Sequence, residues 1–585
     1  MLSAAVYLAC SLISFTLLSE DAYISFRYAE NISGGYGPVF NQGGPTIEGY
    51  SNPLWVWLLA LSHLLGADVV VAGRCFGLLF STLCLLEIIL IFKDRFKSPS
   101  TGFAASLLIA TYPPFLYWGQ SGLENALYFF LILIGTRFLL FELENMDRFK
   151  ISPVFYLLAA LTRPEGILFF MISMAIYVIN DWRKGRRFLL IRYQMWIAAI
   201  CAFVLFLIWR FETFGELVPN TFFAKVNNGL RWKAIHGVWF IFAWLNHTYW
   251  LPLILPIASF FKIKFSRHAE GNPALISFFW LAAGQIFFNV YSGGDIHPYD
   301  RFTLLIFLSS VIFTFGCLSI LRQKGIWKSG VIVTSIVILI ANLSYNFPPN
   351  HDIDPPLKSP SNFLQYNLVG LMTGRLSMED IWSGFVGPRS DGLDLVGKEL
   401  AEKSGEGVLL ATDQCGKIPY HSGLETIDLF GLNDATIAGI IHGNETWDKY
   451  AVEIINRCPD EFVVFYRDGH LISKYYLENT ILSEPFLDRY ELQRVYKIEY
   501  VFHDSLNFMQ PESGKHSFTH ILLKFGPRED SFRFGKELAD YEIRWLQDNQ
   551  PIIDTPDKLL AIVLEFEADH ERREEGSDLF VVNLN

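Results

Sequence analysis

The stretch LSAAVYLACSLISFTLL (residues 2–18) contains no charged residue, and Ser19, Glu20 and Asp21 follow it directly. A run of this length approaches the ~20 apolar residues with which a helix spans a bilayer. Two carboxylates where such a helix leaves the bilayer are costly unless water, a cation or a reacting group uses them. The pair is therefore a candidate functional site. The alternative is that both acids only cap a helix at the interface.

The composition places the whole chain in the membrane class. Of the 585 residues, 51% are hydrophobic and 16% are aromatic, and the mean hydropathy is +0.29. Several further apolar runs approach the length of a membrane span, so the sequence predicts a polytopic membrane protein. The net charge of −12 gives no indication of nucleic-acid binding. Residues 1–18 lack a basic start and a small-residue cleavage site, which favours an uncleaved first helix.

Clusters of Lys and Arg orient the chain, because short basic loops favour the cytoplasmic side. Five such clusters occur, around Lys93, Arg148, Arg183, Lys262 and Arg322. Placing all five in the cytoplasm gives a cytoplasmic N-terminus and about eleven membrane-spanning helices. These helices are predicted near 2–18, 71–92, 102–118, 126–141, 152–163, 166–179, 193–210, 249–263, 274–291, 302–320 and 328–345.

Two amphipathic segments are expected to lie flat on the outer surface, at 21–33 and 53–66. The chain is thus divided into a membrane domain over residues 1–345 and an extracytoplasmic domain over residues 346–585. The second domain lacks any apolar run long enough to span a bilayer and contains short β-rich stretches separated by helical ones, so we expect a soluble mixed α/β domain. The predicted fold is therefore an α-helical polytopic membrane protein with a C-terminal soluble α/β domain.

Six polar clusters fall on the outer side in this topology and look like the walls of one site. Each cluster alone is explained as well by the polarity that outer loops need. They centre on Glu20/Asp21, Glu48/Tyr50, Glu124, Arg163/Glu165, Asn220/Lys225 and Asp295/His297/Arg301.

The motifs around these clusters resemble the GT-C superfamily of membrane glycosyltransferases, which use polyprenyl-phosphate sugar donors, and in particular the family of the mycobacterial terminal β-(1→2)-arabinofuranosyltransferase. The resemblance rests on stretches between residue 20 and about residue 440. They are GGYGPVFNQGG (34–44), EGYSNPLW (48–55), SGLEN (121–125), LTRPEG (161–166), FGELVPNTFFAK (214–225), SGGDIHPYDRF (292–302) and TIDLFGLNDATIAG (426–439).

The resemblance implies a GT-C fold and transfer of a sugar from a polyprenyl phosphate to a glycan or glycolipid of the cell envelope, at the outer face of the cell membrane. The family usually has Asp-Asp where this chain has Glu20-Asp21. Asp21 is therefore the stronger candidate for the general base that takes a proton from the acceptor hydroxyl, and the role of Glu20 stays open.

Arg163, Lys225 and Arg301 are the basic residues best placed for the donor phosphate, and Arg27 could join them or pair with Asp21. Glu124, Glu165 and Asp295 are candidates for binding hydroxyl groups of the sugar or the acceptor, Tyr50 is a candidate for stacking on a sugar, and Glu48 and Asn220 are further candidates for binding the substrate. The alternatives are a helix cap for Glu165, a plain turn for Asp295 and an interfacial aromatic belt for Tyr50.

Other site types are weakly indicated. His297 could coordinate a divalent cation together with Asp295, but two ligands two residues apart do not define a metal site. Cys415 and Cys458 could form a disulfide if the C-terminal domain is extracytoplasmic.

Three other functions compete with the leading interpretation. A protein O-glycosyltransferase would share the early acid pair but lack the EGY, SGLE and PNT motifs. A non-catalytic membrane assembly factor, for example one associated with a flagellar motor, is favoured only by Glu20 in place of Asp. A transporter is disfavoured, because the polar residues gather at one face rather than at the bilayer midplane.

Overall fold

The computed structural model describes most of the chain, and every structural statement below refers to these residues. They are 2–14, 18–144, 150–185, 190–225, 229–265, 272–295, 301–323, 329–343, 392–405, 407–443, 445–467, 470–471, 474–503, 515–528, 544, 547, 558–565 and 579–584.

The first 343 residues fold into α-helices joined by short connections. Several helices begin with a proline in their first turn, for example Pro53, Pro99, Pro113 and Pro273, where the missing N–H group has no partner within the helix in any case. The helices are α1 (Leu2–Ser14), α2 (Glu20–Ser33), α3 (Pro53–Leu64), α4 (Val69–Arg95), α5 (Pro99–Ala110), α6 (Pro113–Trp118), α7 (Asn125–Glu144), α8 (Ser152–Thr162), α9 (Gly166–Arg183), α10 (Leu190–Phe214), α11 (Asn220–Lys225), α12 (Leu230–His247), α13 (Leu251–Phe265), α14 (Pro273–Ser292), α15 (Leu304–Gln323) and α16 (Gly330–Leu343).

Six helices of the described residues are long and apolar enough to cross a membrane, and a bent pair would bring the number to seven. Further apolar helices are shorter, among them α1, α5, α8 and α16. A helix lies within each of the eleven predicted spans, so the helical membrane class is confirmed. The number of spans stays a prediction.

Two predicted spans differ from the structure in a way that the local sequence explains. The predicted span 102–118 is broken, because Pro113 begins a new helix, α6, and the preceding residues cannot continue α5 through it. The predicted span 249–263 follows an apolar helix, α12, that the sequence reasoning missed. The axes of α12 and α13 meet at 80°, at Tyr249 and Trp250, whose φ angles are 52° and 58°.

The bundle has two ends of different character. At the end that we call the lower end, Arg95 pairs with Glu144 at 2.7 Å and Arg137 pairs with Glu87 at 2.6 Å. At the opposite, upper end lie α2, α3 and the described C-terminal residues. The basic residues of the predicted cytoplasmic loops around Lys93 and Arg183 thus fall at the lower end.

The C-terminal residues from 392 onward form a mixed α/β unit, as the sequence predicted. Its strands are β1 (Leu409–Thr412), β2 (Glu425–Asp428), β3 (Glu461–Arg467), β4 (His470–Leu471), β5 (Tyr490–His503), β6 (Lys515–Pro527) and β7 (Leu579–Leu584). Its helices are α17 (Leu393–Lys403), α18 (Lys417–Ser422), α19 (Ala435–His442), α20 (Trp447–Asn456), α21 (Lys474–Ile481) and α22 (Glu484–Leu487).

The strands form one sheet in the order β2-β1-β3-β6-β5-β7, with β4 paired to β3. Strands β2, β1 and β3 are parallel, β6 runs antiparallel to both β3 and β5, and β7 is parallel to β5. Two separate apolar clusters of buried residues, which contain Phe462 and Val463 respectively, lie against the sheet. The predicted domain boundary near residue 345 falls outside the described residues.

The C-terminal domain packs on the upper end of the bundle and covers α2. Tyr23 of α2 makes edge contacts with Tyr420 and His421, and the Tyr420 hydroxyl donates a hydrogen bond to Glu30 at 2.5 Å. Most residues of α2 are buried. The C-terminal domain therefore covers this helix, and the prediction that 21–33 lies flat on the outer membrane surface stays a prediction.

Candidate functional site

Helix α2 places the acid pair at the upper end of the bundle. The Ser19 amide, just before the helix, donates to the Ser121 carbonyl at 2.9 Å. Glu20 and Asp21 form the first turn, and both are partly exposed. A carboxylate is favoured in this first turn by the partial positive charge of the helix N-terminus.

The two acids have different surroundings. One Glu20 carboxylate oxygen accepts hydrogen bonds from the backbone N–H groups of Gly416 and of Lys417, the latter at 3.2 Å. Both donors belong to the loop after β1, so Glu20 binds the C-terminal domain. This contact gives Glu20 a structural explanation and leaves Asp21 as the candidate base.

A chain of hydrogen bonds leads from α2 into the bundle through Asn52. The Asn52 side-chain amide donates to the Ser25 hydroxyl at 3.2 Å and to the Glu124 carboxylate at 2.7 Å. Ser25 lies one helical turn after Asp21, and residues four apart share a helix face. The EGYSNPLW and SGLEN motifs therefore meet beside the face of α2 that carries Asp21.

Arg163 is the centre of a buried ion-pair cluster. Its guanidinium group donates to Glu165 at 2.5 Å, to Glu124 at 2.6 Å and to the Asn125 side chain at 3.1 Å. The side chains of Arg163, Glu124 and Glu165 are each less than a tenth exposed.

Arg301 forms the second half of the cluster. It makes a two-point pair with Asp295, with distances of 2.9 and 3.0 Å. The ring of Phe302 lies 5.2 Å from the Arg163 guanidinium carbon and 5.0 Å from that of Arg301. Both arginines line one small pocket, together with Glu165, Phe302, Asn125, Tyr128, Phe129, Gln285 and Leu305. The structure thus brings together the predicted residues Glu124, Arg163, Glu165, Asp295 and Arg301.

The charges of this cluster almost cancel. Among the described residues, two guanidinium groups stand against the three carboxylates of Glu124, Glu165 and Asp295, which leaves one net negative charge. A phosphate would have to compete with these carboxylates for the arginines. The arrangement therefore gives no support to the prediction that Arg163 and Arg301 bind the donor phosphate.

The EGY and PNT motifs meet each other and the C-terminal domain at another place. Glu48 pairs with Arg210 of α10 at 2.8 Å, and its carbonyl accepts from the Asn220 amide at 3.0 Å. The Asn220 side chain donates to the carbonyls of Gly431 and Leu432, at 2.7 and 2.9 Å. Burial raises the pKa of Glu48 to about 7, although Arg210 opposes the shift. Asn220 thus holds the C-terminal domain, Glu48 is paired with Arg210, and neither residue lines the pocket between Arg163 and Arg301.

Arg27 and Tyr50 are also explained by packing. Arg27 donates to the carbonyls of Phe40, Pro419 and Leu424, at 2.8, 2.5 and 2.8 Å, and to the Asn41 side chain at 3.1 Å. It therefore joins α2 to the C-terminal domain instead of binding a phosphate or pairing with Asp21. Tyr50 is 3% exposed and packs edge-on against Tyr28, so its ring cannot stack on a sugar in this conformation.

Two predicted residues cannot be placed. The Lys225 side chain and the whole of His297 lie outside the described residues, so their predicted roles remain predictions. Within the described part of the chain, no group of three or more His, Cys, Asp or Glu residues could hold a metal ion.

Cys415 and Cys458 do not form a disulfide in the structure. The Cys415 thiol donates to the Asp428 carboxylate at 2.7 Å, whereas Cys458 lies after α20. Asp428 also accepts from the backbone amides of Phe430, Gly431 and Asn433, at 2.9, 3.1 and 2.7 Å. Burial raises the pKa of the Cys415 thiol and that of Asp428.

Asn52, Asn125 and Gln285 are residues that the sequence reasoning missed. Asn125 and Gln285 are polar side chains within apolar helical segments, and such residues mark functional positions in membrane proteins. That signal was available for both. Asn52 gave a weaker signal, since an Asn before Pro53 also suits a plain helix start.

Three solved structures align with this chain with TM-scores below 0.5. ArnT from Cupriavidus metallidurans in the apo state is 14% identical, with a TM-score of 0.47 over 89% of this chain and 97% of that chain. The same protein bound to undecaprenyl phosphate is 15% identical, with a TM-score of 0.46 over the same shares. The Archaeoglobus fulgidus oligosaccharyltransferase, a complex with Zn and sulfate, is 14% identical, with a TM-score of 0.41 over 72% of this chain and 62% of that chain.

Sequence comparison gives two matches. A family described as a domain of unknown function (DUF8728) matches residues 389–517, which lie largely in the C-terminal α/β unit. The terminal beta-(1->2)-arabinofuranosyltransferase of Mycobacterium tuberculosis (strain ATCC 25618 / H37Rv) is 25% identical over 364 residues, which are 54% of this chain and 56% of that protein. The chain thus spans little more than half the length of this relative. The resemblance predicted from the motifs is confirmed as a similarity to this arabinofuranosyltransferase.

Proposed function

We propose that the protein is a membrane glycosyltransferase of the GT-C type. It moves a sugar, arabinofuranose or another pentose, from a polyprenyl phosphate to a glycan or glycolipid of the cell envelope. The similarity to the arabinofuranosyltransferase supports the reaction class. The observation that carries the proposal is the convergence of the SGLEN and RPEG motifs and the Asp295–Arg301 pair on one buried polar pocket, which hydrogen bonds through Glu124 and Asn52 connect to Ser25 of α2.

Asp21 acts as the general base in this proposal. Its carboxylate takes the proton of an acceptor hydroxyl while that oxygen attacks the anomeric carbon of the donor. The bond between this carbon and the phosphate oxygen breaks, the polyprenyl phosphate leaves with both electrons, and the configuration inverts. The bonds from the amides of Gly416 and Lys417 to one carboxylate oxygen of Glu20 favour Asp21 over Glu20 as the base.

The donor phosphate is assigned to cations outside the balanced cluster. Lys225 follows the PNT motif on α11, whose first residue, Asn220, binds the C-terminal domain. Its position in the sequence keeps it as the candidate for the phosphate. Lys suits this role as a mobile point charge.

The orientation follows from the basic lower end. Because cytoplasmic loops carry an excess of Lys and Arg, the lower end is assigned to the cytoplasm and the C-terminal domain to the extracytoplasmic side of the cell membrane. The reaction then takes place at the outer face, where the polar motifs lie.

The test is a transfer assay with the full chain in lipid nanodiscs. A polyprenyl-phosphate arabinofuranose is supplied with an envelope glycan acceptor, and the product is measured by mass spectrometry. Asp21→Asn is expected to lower the rate by at least about 100-fold, the lower range of a general base's contribution. Asp68→Asn is the matched control, since Asp68 is an exposed acid that caps α4 near the same end, and it should transfer at the parental rate.

A parental rate in the Asp21 variant would refute the mechanism. A folded parent protein that transfers no sugar from any of a panel of lipid-linked pentose and hexose donors would refute the function. That result would favour the non-catalytic assembly factor.

A further inference from the structure

The pocket between Arg163 and Arg301 contains buried polar atoms that have no partner among the described residues. They are the side-chain nitrogen of Asn125, the hydroxyl of Tyr128 and the side-chain oxygen of Gln285. All three residues line this pocket, and each is at most 2% exposed. An unsatisfied buried polar atom is costly, roughly 1–3 kcal/mol each. Three of them lining one pocket therefore point to a bound polar group.

The chemistry of these atoms selects the kind of group. The Asn125 nitrogen can only donate a hydrogen bond, the Gln285 oxygen can only accept one, and the Tyr128 hydroxyl can do both. A hydroxyl group, which both accepts and donates, satisfies all of them. A phosphate oxygen at neutral pH mainly accepts, so it would be repelled by the Gln285 oxygen and by the Glu165 carboxylate, which also lines the pocket.

The charge balance and the size of the pocket agree with this choice. The surrounding cluster has one net negative charge, which disfavours an anion. The pocket has room for about one water-sized group, which fits a single hydroxyl but not the four oxygens of a phosphate. Arginines whose charge is balanced can still donate to a neutral oxygen.

We propose that this pocket binds a hydroxyl group of an uncharged sugar, held by Asn125, Tyr128 and Gln285. The identification of the ligand as a sugar rests on the proposed function. The hydroxyl selectivity rests on the pocket alone. The sugar ring lies outside the pocket, and the hydroxyl that enters it selects sugars that carry an oxygen at that position.

The proposal is tested by binding without transfer. Methyl α-arabinofuranoside and its monodeoxy analogues are titrated against the full chain in nanodiscs, and binding is followed by saturation-transfer NMR. One deoxy analogue should bind more weakly than the others, and Gln285→Leu and Tyr128→Phe should each raise the Kd of the parent sugar by roughly two- to tenfold, the equivalent of one hydrogen bond. Inorganic phosphate at equal ionic strength should not displace the sugar.

Matched control variants separate binding from folding. Gln120→Leu and Tyr156→Phe each replace a buried Gln or Tyr that does not line the pocket, and both should bind the sugar with the parental Kd. If the two pocket variants fold and bind every sugar as the parent does, or if phosphate displaces the sugar, the assignment is wrong.

Failure of the pocket assignment and failure of the proposed function give different results. Selective sugar binding without transfer from any donor would leave the pocket assignment intact and remove the enzyme. Normal transfer that is unaffected by Gln285→Leu and Tyr128→Phe would leave the enzyme intact and remove the pocket.

Discussion

The contact between Gly416 and Glu20 predicts that a single methyl group can disturb the candidate base. A Cβ added at position 416 would meet the Glu20 carbonyl oxygen at much less than 3.0 Å, and its carboxylate oxygen Oε1 at 2.6 Å. Neither atom can easily move away. The carbonyl oxygen of Glu20 belongs to the first turn of α2, and its carboxylate oxygen accepts from the amides of Gly416 and Lys417. Gly416→Ala must therefore separate the loop from the start of α2.

The expected magnitude follows from the overlap. Restoring an ordinary contact requires a displacement of about 1 Å, and a misplacement of this size near a reacting group can lower a rate about 100-fold. The two bonds from the amides to the carboxylate would be stretched or lost, and hydrogen bonds to charged groups contribute roughly 1.5–3 kcal/mol each. We expect kcat to fall by about 100-fold and the free energy of docking of the C-terminal domain to fall by roughly 2–4 kcal/mol.

The assay compares two glycine variants of the full chain. Transfer from a polyprenyl-phosphate sugar gives kcat, and limited proteolysis at several urea concentrations gives the stability of docking. Gly439→Ala is the control, because a Cβ there meets nothing within 4 Å and the residue lies on the helix Ala435–His442. It should keep parental kcat and be slightly more stable, since Ala favours a helix over Gly.

Parental kcat in a folded Gly416→Ala protein would refute the reasoning, because the position of Asp21 would then not depend on the loop. Equal losses in both glycine variants would attribute the effect to the C-terminal domain as a whole. A loss of docking without a loss of rate would show that Glu20 anchors the domain only.

Three other variants test other parts of the structure. Burial raises the pKa of Asp413 from 3.8 to about 7, so the free energy of unfolding of the parent should fall as pH rises between these values, by up to roughly 4 kcal/mol. Asp413→Asn should remove this pH dependence in pulse proteolysis, and Asp460→Asn, at an exposed acid, is the control for net charge. Asn220→Leu leaves the carbonyls of Gly431 and Leu432 without their donor and should weaken docking by roughly 1–3 kcal/mol in the proteolysis assay, without changing sugar binding. Arg163→Lys cannot span both Glu124 and Glu165, so it should raise the KM for the donor by about tenfold and lower the Tm.

The membrane helices were predictable from the sequence, because apolar runs of sufficient length indicate spans and basic loops indicate the cytoplasmic side. The errors in predicting the helices occurred where the local sequence does not determine the direction of the chain. Helix α12 contains Arg231, Lys233, His236 and His247 among its aromatic residues, so its mean hydropathy stays below that of its neighbours. The 80° bend that follows it depends on packing.

The composition of the candidate site was partly predictable. The motifs identified Glu124, Arg163, Glu165, Asp295 and Arg301, and the structure brings them together. Their mutual pairing was not predictable, because sequence spacing does not show which carboxylate neutralises which arginine. Position in the sequence suggested phosphate ligands, whereas the ion pairs indicate a nearly neutral pocket.

The role of the C-terminal domain was not predictable for a related reason. Arg27 and Asn220 looked like ligands of a substrate because they are polar residues in the outer motifs. Their partners are backbone carbonyls of residues about 200 to 400 positions away, and nothing in the local pattern shows such partners. Asn41 likewise binds a distant backbone, because its side chain both donates to and accepts from the backbone of Thr426 in β2.

The motifs shared with the arabinofuranosyltransferase family therefore serve two different physical purposes. One set, including Glu20, Arg27 and Asn220, holds the C-terminal domain against α2 and the upper loops. The other set surrounds the pocket between Arg163 and Arg301. Asp21 lies where the two sets meet, one residue from the anchor Glu20 and one helical turn from Ser25. A change in the docking of the domain should then act on Asp21 through α2, so variants of the first set should alter kcat, while variants of the second set should alter the binding of the sugar.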